Sequence, residues 1–274
     1  MACVTASDGV RLYAEAHGAG TPLVLSPALL TTHENWRPQI APLVAAGCQV
    51  VLWDYRGHGG SDAPDDPSAY SMERVVADLA EVLDALAPGA PAVLGGLSFG
   101  GLASLHFALR FPERVRALLL IDTGPGFKDP AARKRWEESV ERTASFLERK
   151  GLAALLAGRA AETMVGRRPE LPAAQAAARA IAAQRPHGLA HFGRRVAGPA
   201  PPVIDELSSI AAPALVVVGE HDEPYRRAAE VLAAKLPRAE SVVIAGAGHI
   251  VNLEQPEAFD AAVLGFLARV AATG

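Results

Sequence analysis

The feature of this sequence that most constrains its fold is a repeated alternation of short apolar runs with amphipathic segments. Continuously apolar runs are typical of strands covered on both faces of a parallel sheet. Six runs have this character: 23–25, 50–53, 92–94, 115–121, 214–218 and 241–244. Segments 71–86 and 257–270 instead carry apolar residues at helical spacing, and Ser71 is a candidate N-cap. The alternation predicts an α/β fold with a mostly parallel, doubly wound sheet.

Two regions depart from this alternation. At the N-terminus, segments 3–6 and 10–16 flank the turn dipeptide Asp8-Gly9, which predicts a β-hairpin. Residues 124–207 are rich in Ala, Arg and Glu and contain no convincing strand, although 134–149 and 173–183 have helical patterns. We therefore predict two parts. Residues 1–123 together with residues 208–274 form an α/β core, and residues 124–207 form a helical cap.

Composition restricts the classes of partner. Half of the 274 residues are hydrophobic and 20% are charged, which is typical of a globular chain with a sizeable core. A net charge of −4 gives no electrostatic attraction to nucleic acid or to an anionic membrane surface. Cys3 and Cys48 are too few for a disulfide framework and match no metal motif. With no recognisable signal peptide, the expected location is cytoplasmic.

Residues 85–109 carry no Asp, Glu, Lys or Arg, as is typical of a membrane helix, but they contain Pro88, Pro91 and five glycines. A buried strand, turn and helix fit this composition better. The turn contains Gly96-Leu97-Ser98-Phe99-Gly100, directly between the strand at 92–94 and a helical segment at 102–109. This is the setting of a nucleophile elbow, where a strained turn exposes the serine hydroxyl. Ser98 is therefore the candidate nucleophile, and the N–H of Phe99 is a candidate oxyanion donor.

A serine hydroxyl needs a base, and the base needs an acid that orients it. His249 follows the last predicted strand in a loop of small residues and is the candidate base. Asp222 follows the strand at 214–218 and is the favoured acid, because the order Ser, Asp, His is typical of proteins with this elbow. Asp122 follows the strand at 115–121 and remains the alternative acid, since it too would reach the carboxyl edge of the sheet.

These motifs resemble those of the α/β-hydrolases over nearly the whole chain outside the helical region. Segment 54–61, Asp-Tyr-Arg-Gly-His-Gly-Gly-Ser, is similar to a family segment that shapes the turn behind the site, which implies structural roles for Asp54 and Arg56. The ending at 252–257 is similar to the family's usual ending. The elbow and this ending are most similar to the branch of esterases, non-haem haloperoxidases and 3-oxoadipate enol-lactonases.

The loop after the first buried strand departs from most of these relatives, which have His-Gly there. Here it reads Ser26-Pro27-Ala28-Leu29-Leu30, and the resemblance to the enol-lactonase branch aligns its last three residues with a Ser-Leu-Gly-like run. That alignment implies that the N–H of Leu29 is the second oxyanion donor, with Ala28 as the alternative. Pro27 has no N–H to donate. Relatives have glycine where Leu30 stands.

The function expected from this resemblance is hydrolysis of a small-molecule carboxylic ester or lactone through an acyl-enzyme. Cleavage of a C–C bond and cofactor-free perhydrolysis are alternatives on the same residues, and a ligand-binding sensor with slow turnover is an alternative of another class. No cofactor is implied, because the sequence has no Gly-rich phosphate loop and no dinucleotide fingerprint. No metal is implied either, since His187 and His191 lack the glutamate of a zinc protease helix. His33, which is near the oxyanion loop in sequence, is expected to line the pocket. The substrate and the oligomeric state are not specified by these patterns.

Overall fold

The computed structural model describes residues 2–272 and contains an eight-stranded sheet. The strands are β1 (Ala2–Thr5), β2 (Arg11–His17), β3 (Thr21–Ser26), β4 (Cys48–Trp53), β5 (Ala92–Leu97), β6 (Val115–Ile121), β7 (Ala214–Gly219) and β8 (Ala239–Ile244). Their order is β1-β2-β4-β3-β5-β6-β7-β8. β2 is antiparallel to both of its neighbours, and all other pairs are parallel. The predicted fold class is confirmed.

In the part of the chain that the structure describes, ten α-helices accompany the sheet. They are α1 (Ile40–Ala45), α2 (Met72–Leu86), α3 (Phe99–Arg110), α4 (Pro130–Leu156), α5 (Glu162–Val165), α6 (Pro172–Ala182), α7 (Pro186–Phe192), α8 (Glu223–Lys235), α9 (Val251–Glu254) and α10 (Pro256–Ala272). Ser71 caps α2 by accepting a hydrogen bond from the N–H of Arg74. Within residues 2–272, no helix is long and apolar enough to cross a membrane.

The two faces of the sheet are covered by different helices. Val51 of β4 packs in a core cluster with residues of α2, α3 and α8, whereas its neighbours Val50 and Leu52 pack in a second cluster with residues of α1 and α10. Successive side chains of a strand point to opposite faces, so a strand buried on both faces is continuously apolar. The apolar runs in the sequence have this physical cause.

β8 is an exception to continuous burial. It lies at the edge of the sheet and pairs only with β7 among the described strands. Val243 in this strand is 53% exposed. An edge strand loses the cover of one neighbour, so apolar sequence alone does not guarantee burial there.

The parallel register determines which residues meet at the carboxyl edge. Leu97 of β5 is paired with Ile121 of β6, which is in turn paired with Val217 of β7. Ser98 and Asp122 directly follow the first two of these residues. Side chains after neighbouring parallel strands therefore converge at this edge.

The segment 124–207 contains α4 to α7, and the described structure has no strand in it. α4 and α7 pack against each other, and the indole N–H of Trp136 donates to the carbonyl of Ala197 at 2.8 Å. Arg194 forms ion pairs with Glu141 and Glu148 of α4. These contacts join the ends of the helical segment, while its status as a separate cap domain remains a prediction.

Candidate active site

The turn between β5 and α3 holds Ser98 in a backbone conformation that is rare for an L-residue, with φ 54° and ψ −115°. A Cβ on Gly96 would lie 2.1 Å from the carbonyl of Gly100, and a Cβ on Gly100 would lie 2.5 Å from the carbonyl oxygen of Ser26. Both positions therefore require glycine. This is the local geometry of a nucleophile elbow, which exposes a serine at the start of a helix.

Hydrogen bonds hold this strained residue from both sides. The N–H of Ser98 donates to the carbonyl of Ile121 at 2.8 Å, and the hydroxyl of Thr123 donates to the carbonyl of Ser98 at 2.5 Å. A positive φ typically costs about 1–2 kcal/mol and persists when surrounding contacts fix it. Ser98 is accordingly presented in one orientation.

His249 and Asp222 meet on the same edge of the sheet. The Nδ1 atom of His249 lies 2.7 Å from Oδ2 of Asp222, and their side chains are 11% and 5% exposed. This contact requires close approach of the two loops that follow β7 and β8. A Cβ on Gly219 would lie 2.2 Å from the carbonyl oxygen of Gly248, so glycine permits the approach.

Glu254 fixes the loop on either side of His249. One carboxylate oxygen accepts the N–H of Gly248 at 2.9 Å, and the other accepts the N–H of Ile250 at 3.4 Å. The Glu254 side chain is buried. Sequence reasoning identified the ending at 252–257 by resemblance but missed this role, for which the signal was a glutamate five residues after His249.

Tyr225 is a second residue that the sequence did not reveal. Its ring stacks on the imidazole of His249 with centroids 4.9 Å apart, and its hydroxyl lies 3.5 Å from Oγ of Ser98. Burial raises the pKa of Tyr225, so the phenol is neutral near pH 7. Within the described residues, the hydrogen bond of the Ser98 hydroxyl is with Tyr225 and not with His249.

Asp122, the alternative acid, is placed differently from Asp222. One oxygen of its fully buried carboxyl group accepts the N–H of Gly219 at 2.8 Å. Burial, together with the nearby charge of Asp222, raises the pKa of Asp122 well above its usual range. A neutral carboxyl group can donate a hydrogen bond to Asp222, but it does not supply the negative charge that a histidine base needs.

The backbone donors predicted for an oxyanion belong to residues that line one cavity with Ser98. Leu29 and Phe99 line the same cavity as Ser98, Asp222 and His249. Among residues 2–272, no acceptor is recorded for the N–H of Leu29 or of Phe99. The N–H of Ala28 is equally unpaired, so both alternatives for the second donor stay open. Unpaired N–H groups beside a nucleophile are suited to stabilising negative charge.

The cavity has a volume of about 510 Å³ and extends from Ser98 under α4 and α7. Its wall is mostly apolar and includes Val140, Leu147 and Met164. Arg133 is the one Lys or Arg among its described lining residues, and it is bonded to Glu137 and to the carbonyl of Pro199. The cavity therefore offers little to neutralise an anionic ligand.

The expectation for His33 is wrong. Its imidazole is buried against Asp54, with Nδ1 2.7 Å from Oδ2, and stacks on Tyr13. His33 does not line the cavity among the described residues. Asp54 also accepts the N–H groups of His33 and Gly60, while Arg56 is buried between carboxylates of Asp78 and Asp8. These contacts organise the segment 54–61 behind the site.

A family model for the alpha/beta hydrolase fold matches residues 21–256. The chain belongs to the alpha/beta hydrolase family. Within residues 2–272 of this hydrolase, no group of three or more His, Cys, Asp or Glu side chains could hold a metal ion.

Relatives of this hydrolase have several activities. It is 30% identical to a Bacillus subtilis protein provisionally assigned as 2-succinyl-6-hydroxy-2,4-cyclohexadiene-1-carboxylate synthase, over 97% of this chain and 98% of that protein. An esterase structure from Thermogutta terrifontis is 29% identical, with a TM-score of 0.83 and coverage of 98% of each chain. The enol-lactonase structure from Burkholderia xenovorans is 27% identical, with a TM-score of 0.83 and coverage of 97% of this chain and all of that one. The resemblance to esterases and enol-lactonases is confirmed.

Proposed function

We propose that this protein is a serine hydrolase that cleaves neutral carboxylic esters or lactones through an acyl-enzyme intermediate. One observation carries the proposal: the 2.7 Å contact between Nδ1 of His249 and Asp222 lies in the cavity that also exposes Ser98. A nucleophile, a base and an acid that orients the base are the parts that acyl transfer requires. The esterase and enol-lactonase relatives support the same reaction class.

In the acylation step, the Ser98 hydroxyl turns from Tyr225 toward Nε2 of His249, which accepts its proton. Oγ attacks the carbonyl carbon, and the resulting oxyanion is held by the N–H groups of Phe99 and Leu29. The carboxylate of Asp222 accepts a hydrogen bond from the Nδ1–H group and stabilises the imidazolium without taking up its proton. Loss of one oxyanion donor typically lowers kcat by about 100-fold or more.

The leaving alkoxide then takes the proton from Nε2 of His249, and the C–O bond of the ester breaks. A water molecule that gives its proton to the same nitrogen attacks the acyl group on Ser98. Collapse of the second tetrahedral intermediate returns the proton to Oγ and releases the carboxylic acid. The neutral Tyr225 ring covers one side of the imidazole and shields these steps from water on that side.

The proposed substrate is neutral because the cavity is apolar around Ser98. Its single described Lys or Arg, Arg133, is already bonded to Glu137. A cavity of about 510 Å³ is in the usual range for small-molecule sites and has room for a medium-sized acyl or lactone ring. An ester with a free carboxylate would leave its charge without a partner in this wall, which is costly.

The test compares p-nitrophenyl butyrate with the p-nitrophenyl half-ester of succinate for the wild type and for Ser98→Ala. Ser139→Ala is the matched control, because it removes another hydroxyl from the same cavity. We expect repeated turnover of the butyrate ester, a fall in kcat of at least about 10³-fold in Ser98→Ala, and little change in Ser139→Ala. The wild type should prefer the butyrate ester in kcat/KM.

Covalent labelling separates the remaining alternatives. A fluorophosphonate should add to Ser98, seen as one adduct by intact mass spectrometry and absent in Ser98→Ala. Single turnover with labelling would favour the ligand-binding sensor, and turnover only with peroxide or a diketone would favour perhydrolysis or C–C cleavage. Equal activity of Ser98→Ala and the wild type would refute the assignment of the nucleophile.

A further inference from the structure

The loop that carries Leu29 is held by contacts to the neighbouring residue, Leu30. Residues 28–31 form a tight turn in which the N–H of Thr31 donates to the carbonyl of Ala28 at 3.1 Å. Leu30, the third residue of this turn, has φ 69°. Positive φ at that position is the mark of a type II turn and favours glycine. A leucine therefore needs outside contacts to keep this conformation.

The first contact is made by the buried side chain of His58. Its Nε2 atom accepts the N–H of Leu30 at 3.3 Å, and its ring packs edge-on against Tyr55 and Phe192. Burial lowers the pKa of His58 to about 4, so the imidazole is neutral near pH 7 and Nε2 has a free lone pair. Nδ1, at 3.5 Å from the carbonyl of Arg56, carries the proton.

The second contact comes from Gln184, between α6 and α7. Its amide nitrogen donates to the carbonyl of Leu30 at 2.7 Å. Its amide oxygen accepts the N–H of Gly59, the residue after His58, at 2.9 Å. Gln184 is 6% exposed. Gln184 of the helical segment therefore links the turn at residues 28–31 to the loop that contains His58.

These two contacts fix the peptide groups on both sides of Leu30. A type I turn would rotate the peptide between Leu29 and Leu30 by about half a turn and remove its N–H from His58. The N–H of Leu29 lies on the preceding peptide, whose carbonyl is held by both the N–H and the hydroxyl of Thr31. This unpaired N–H keeps its direction while the turn stays closed, and loss of the contacts to Leu30 would let Leu30 leave the positive-φ region and open the turn.

We propose that His58 and Gln184 are positioning residues that keep Leu30 left-handed, so that the N–H of Leu29 faces the oxyanion. The proposal rests on the proposed function and assigns the helical segment a direct influence on the chemical step. A donor displaced by about 1 Å can lower the rate by about 100-fold while ground-state binding is preserved. The effect should therefore be on kcat rather than on KM.

The test uses two pairs of variants. Gln184→Met keeps the size of the side chain and removes both hydrogen bonds, and its control is Gln175→Met, an exposed glutamine of α6. His58→Leu removes the acceptor, and its partner is His58→Gln, which keeps an acceptor at a similar reach. Turnover of p-nitrophenyl butyrate is measured per active site titrated with fluorophosphonate, which excludes misfolded protein from the rate.

We expect kcat per titrated site to fall by about 10- to 100-fold in Gln184→Met and His58→Leu, with KM within about threefold. His58→Gln should regain most of that loss, and Gln175→Met should match the wild type. Unchanged kcat in Gln184→Met would overturn the proposal. If His58→Leu does not fold, the comparison of kcat between Gln184→Met and Gln175→Met tests the proposal by itself.

Amide hydrogen exchange of the peptide covering residues 27–32 provides a readout that needs no activity. Exchange should be faster in Gln184→Met than in Gln175→Met, because the N–H groups of Leu30 and Thr31 lose protection. Equal exchange would overturn the inference even if the ester is hydrolysed. Absence of turnover in the wild type, with faster exchange in Gln184→Met, would instead refute the proposed function and retain the loop contact.

Discussion

Asp122 and Asp222 share one buried corner of the site, but only Asp222 contacts His249. The carboxylate of Asp222 lies 2.7 Å from Nδ1 of His249, whereas Asp122 accepts the N–H of Gly219 and interacts electrostatically with Asp222. Two buried carboxyl groups in contact do not both ionise readily, so one of them holds a proton. The raised pKa of Asp122 favours its protonated form.

Replacement of the two acids should therefore have unequal effects on activity. Asp222→Asn removes the charge that orients and stabilises His249, and kcat should fall by about 10³- to 10⁴-fold. Asp122→Asn replaces a neutral carboxyl group by a neutral amide that can still donate to Asp222, so kcat should remain within about threefold. Steady-state kinetics on p-nitrophenyl butyrate checks both. A larger loss in Asp122→Asn would make Asp122 the functional acid.

The same pair predicts how stability depends on pH. Because burial raises the pKa of Asp122 above its ordinary 3.8, the protonated form is favoured in the folded state. The stabilising contribution is complete below about pH 3.8 and is lost as pH rises through the raised pKa. Asp122→Asn should gain stability relative to the wild type as pH rises from about 4. Urea unfolding at several pH values measures the difference, and a constant difference would contradict it.

For His58 we expect stability to depend on pH in the opposite direction. Its pKa is lowered from 6.5 to about 4 by burial, so the unfolded chain takes up a proton before the folded one does. The contribution to stability is complete above about pH 6.5 and falls toward pH 4, by up to about 3 kcal/mol at about 1.4 kcal/mol for each pH unit. His58→Gln should lack this loss. His221→Gln, which removes an exposed histidine, should keep it, and identical profiles for both variants would refute the prediction.

Glycine at position 96 should be indispensable for the elbow. A Cβ there would lie 2.1 Å from the backbone carbonyl of Gly100, so the turn or α3 must shift. We expect Gly96→Ala to lower the free energy of unfolding by about 3 kcal/mol or more and to abolish labelling of Ser98. Thermal unfolding and fluorophosphonate labelling measure these effects.

Gly265→Ala is the control for that substitution. Gly265 lies in α10, and an added Cβ would meet its nearest atom, at the end of the Arg269 side chain, at 3.5 Å. Alanine in a helix interior should raise stability by about 0.5–1 kcal/mol. A similar loss in both variants would mean that the elbow does not need glycine for steric reasons.

Several parts of the site could be predicted from local sequence because they depend on short-range constraints. The strand, the two glycines around Ser98 and the helix that begins at Phe99 follow one another directly in the chain. The steric need for glycine at position 96 comes from Gly100, only four residues away, whereas the need for glycine at position 100 comes from Ser26 on a neighbouring strand. The apolar runs likewise predicted the strands, since burial on both faces removes polar residues from them.

Contacts between distant segments could not be predicted in this way. Nothing near Tyr225 in the sequence indicates that its ring will lie on His249, and nothing near Gln184 points to the carbonyl of Leu30. His33 was wrongly expected near the pocket because it follows the loop in sequence, although its pairing with Asp54 turns it away. Sequence distance carries little information on where a side chain points.

By itself, the sequence determined the fold class, the elbow at Ser98 and the candidates for base and acid. The tertiary structure decided which of two aspartates contacts His249, that Leu30 takes a conformation suited to glycine, and that Gln184 holds it there. The physical reason is that backbone sterics and hydrophobic period act over a few residues. Desolvation, charge pairing and hydrogen-bond direction instead depend on groups brought together only by the closed sheet and its covering helices.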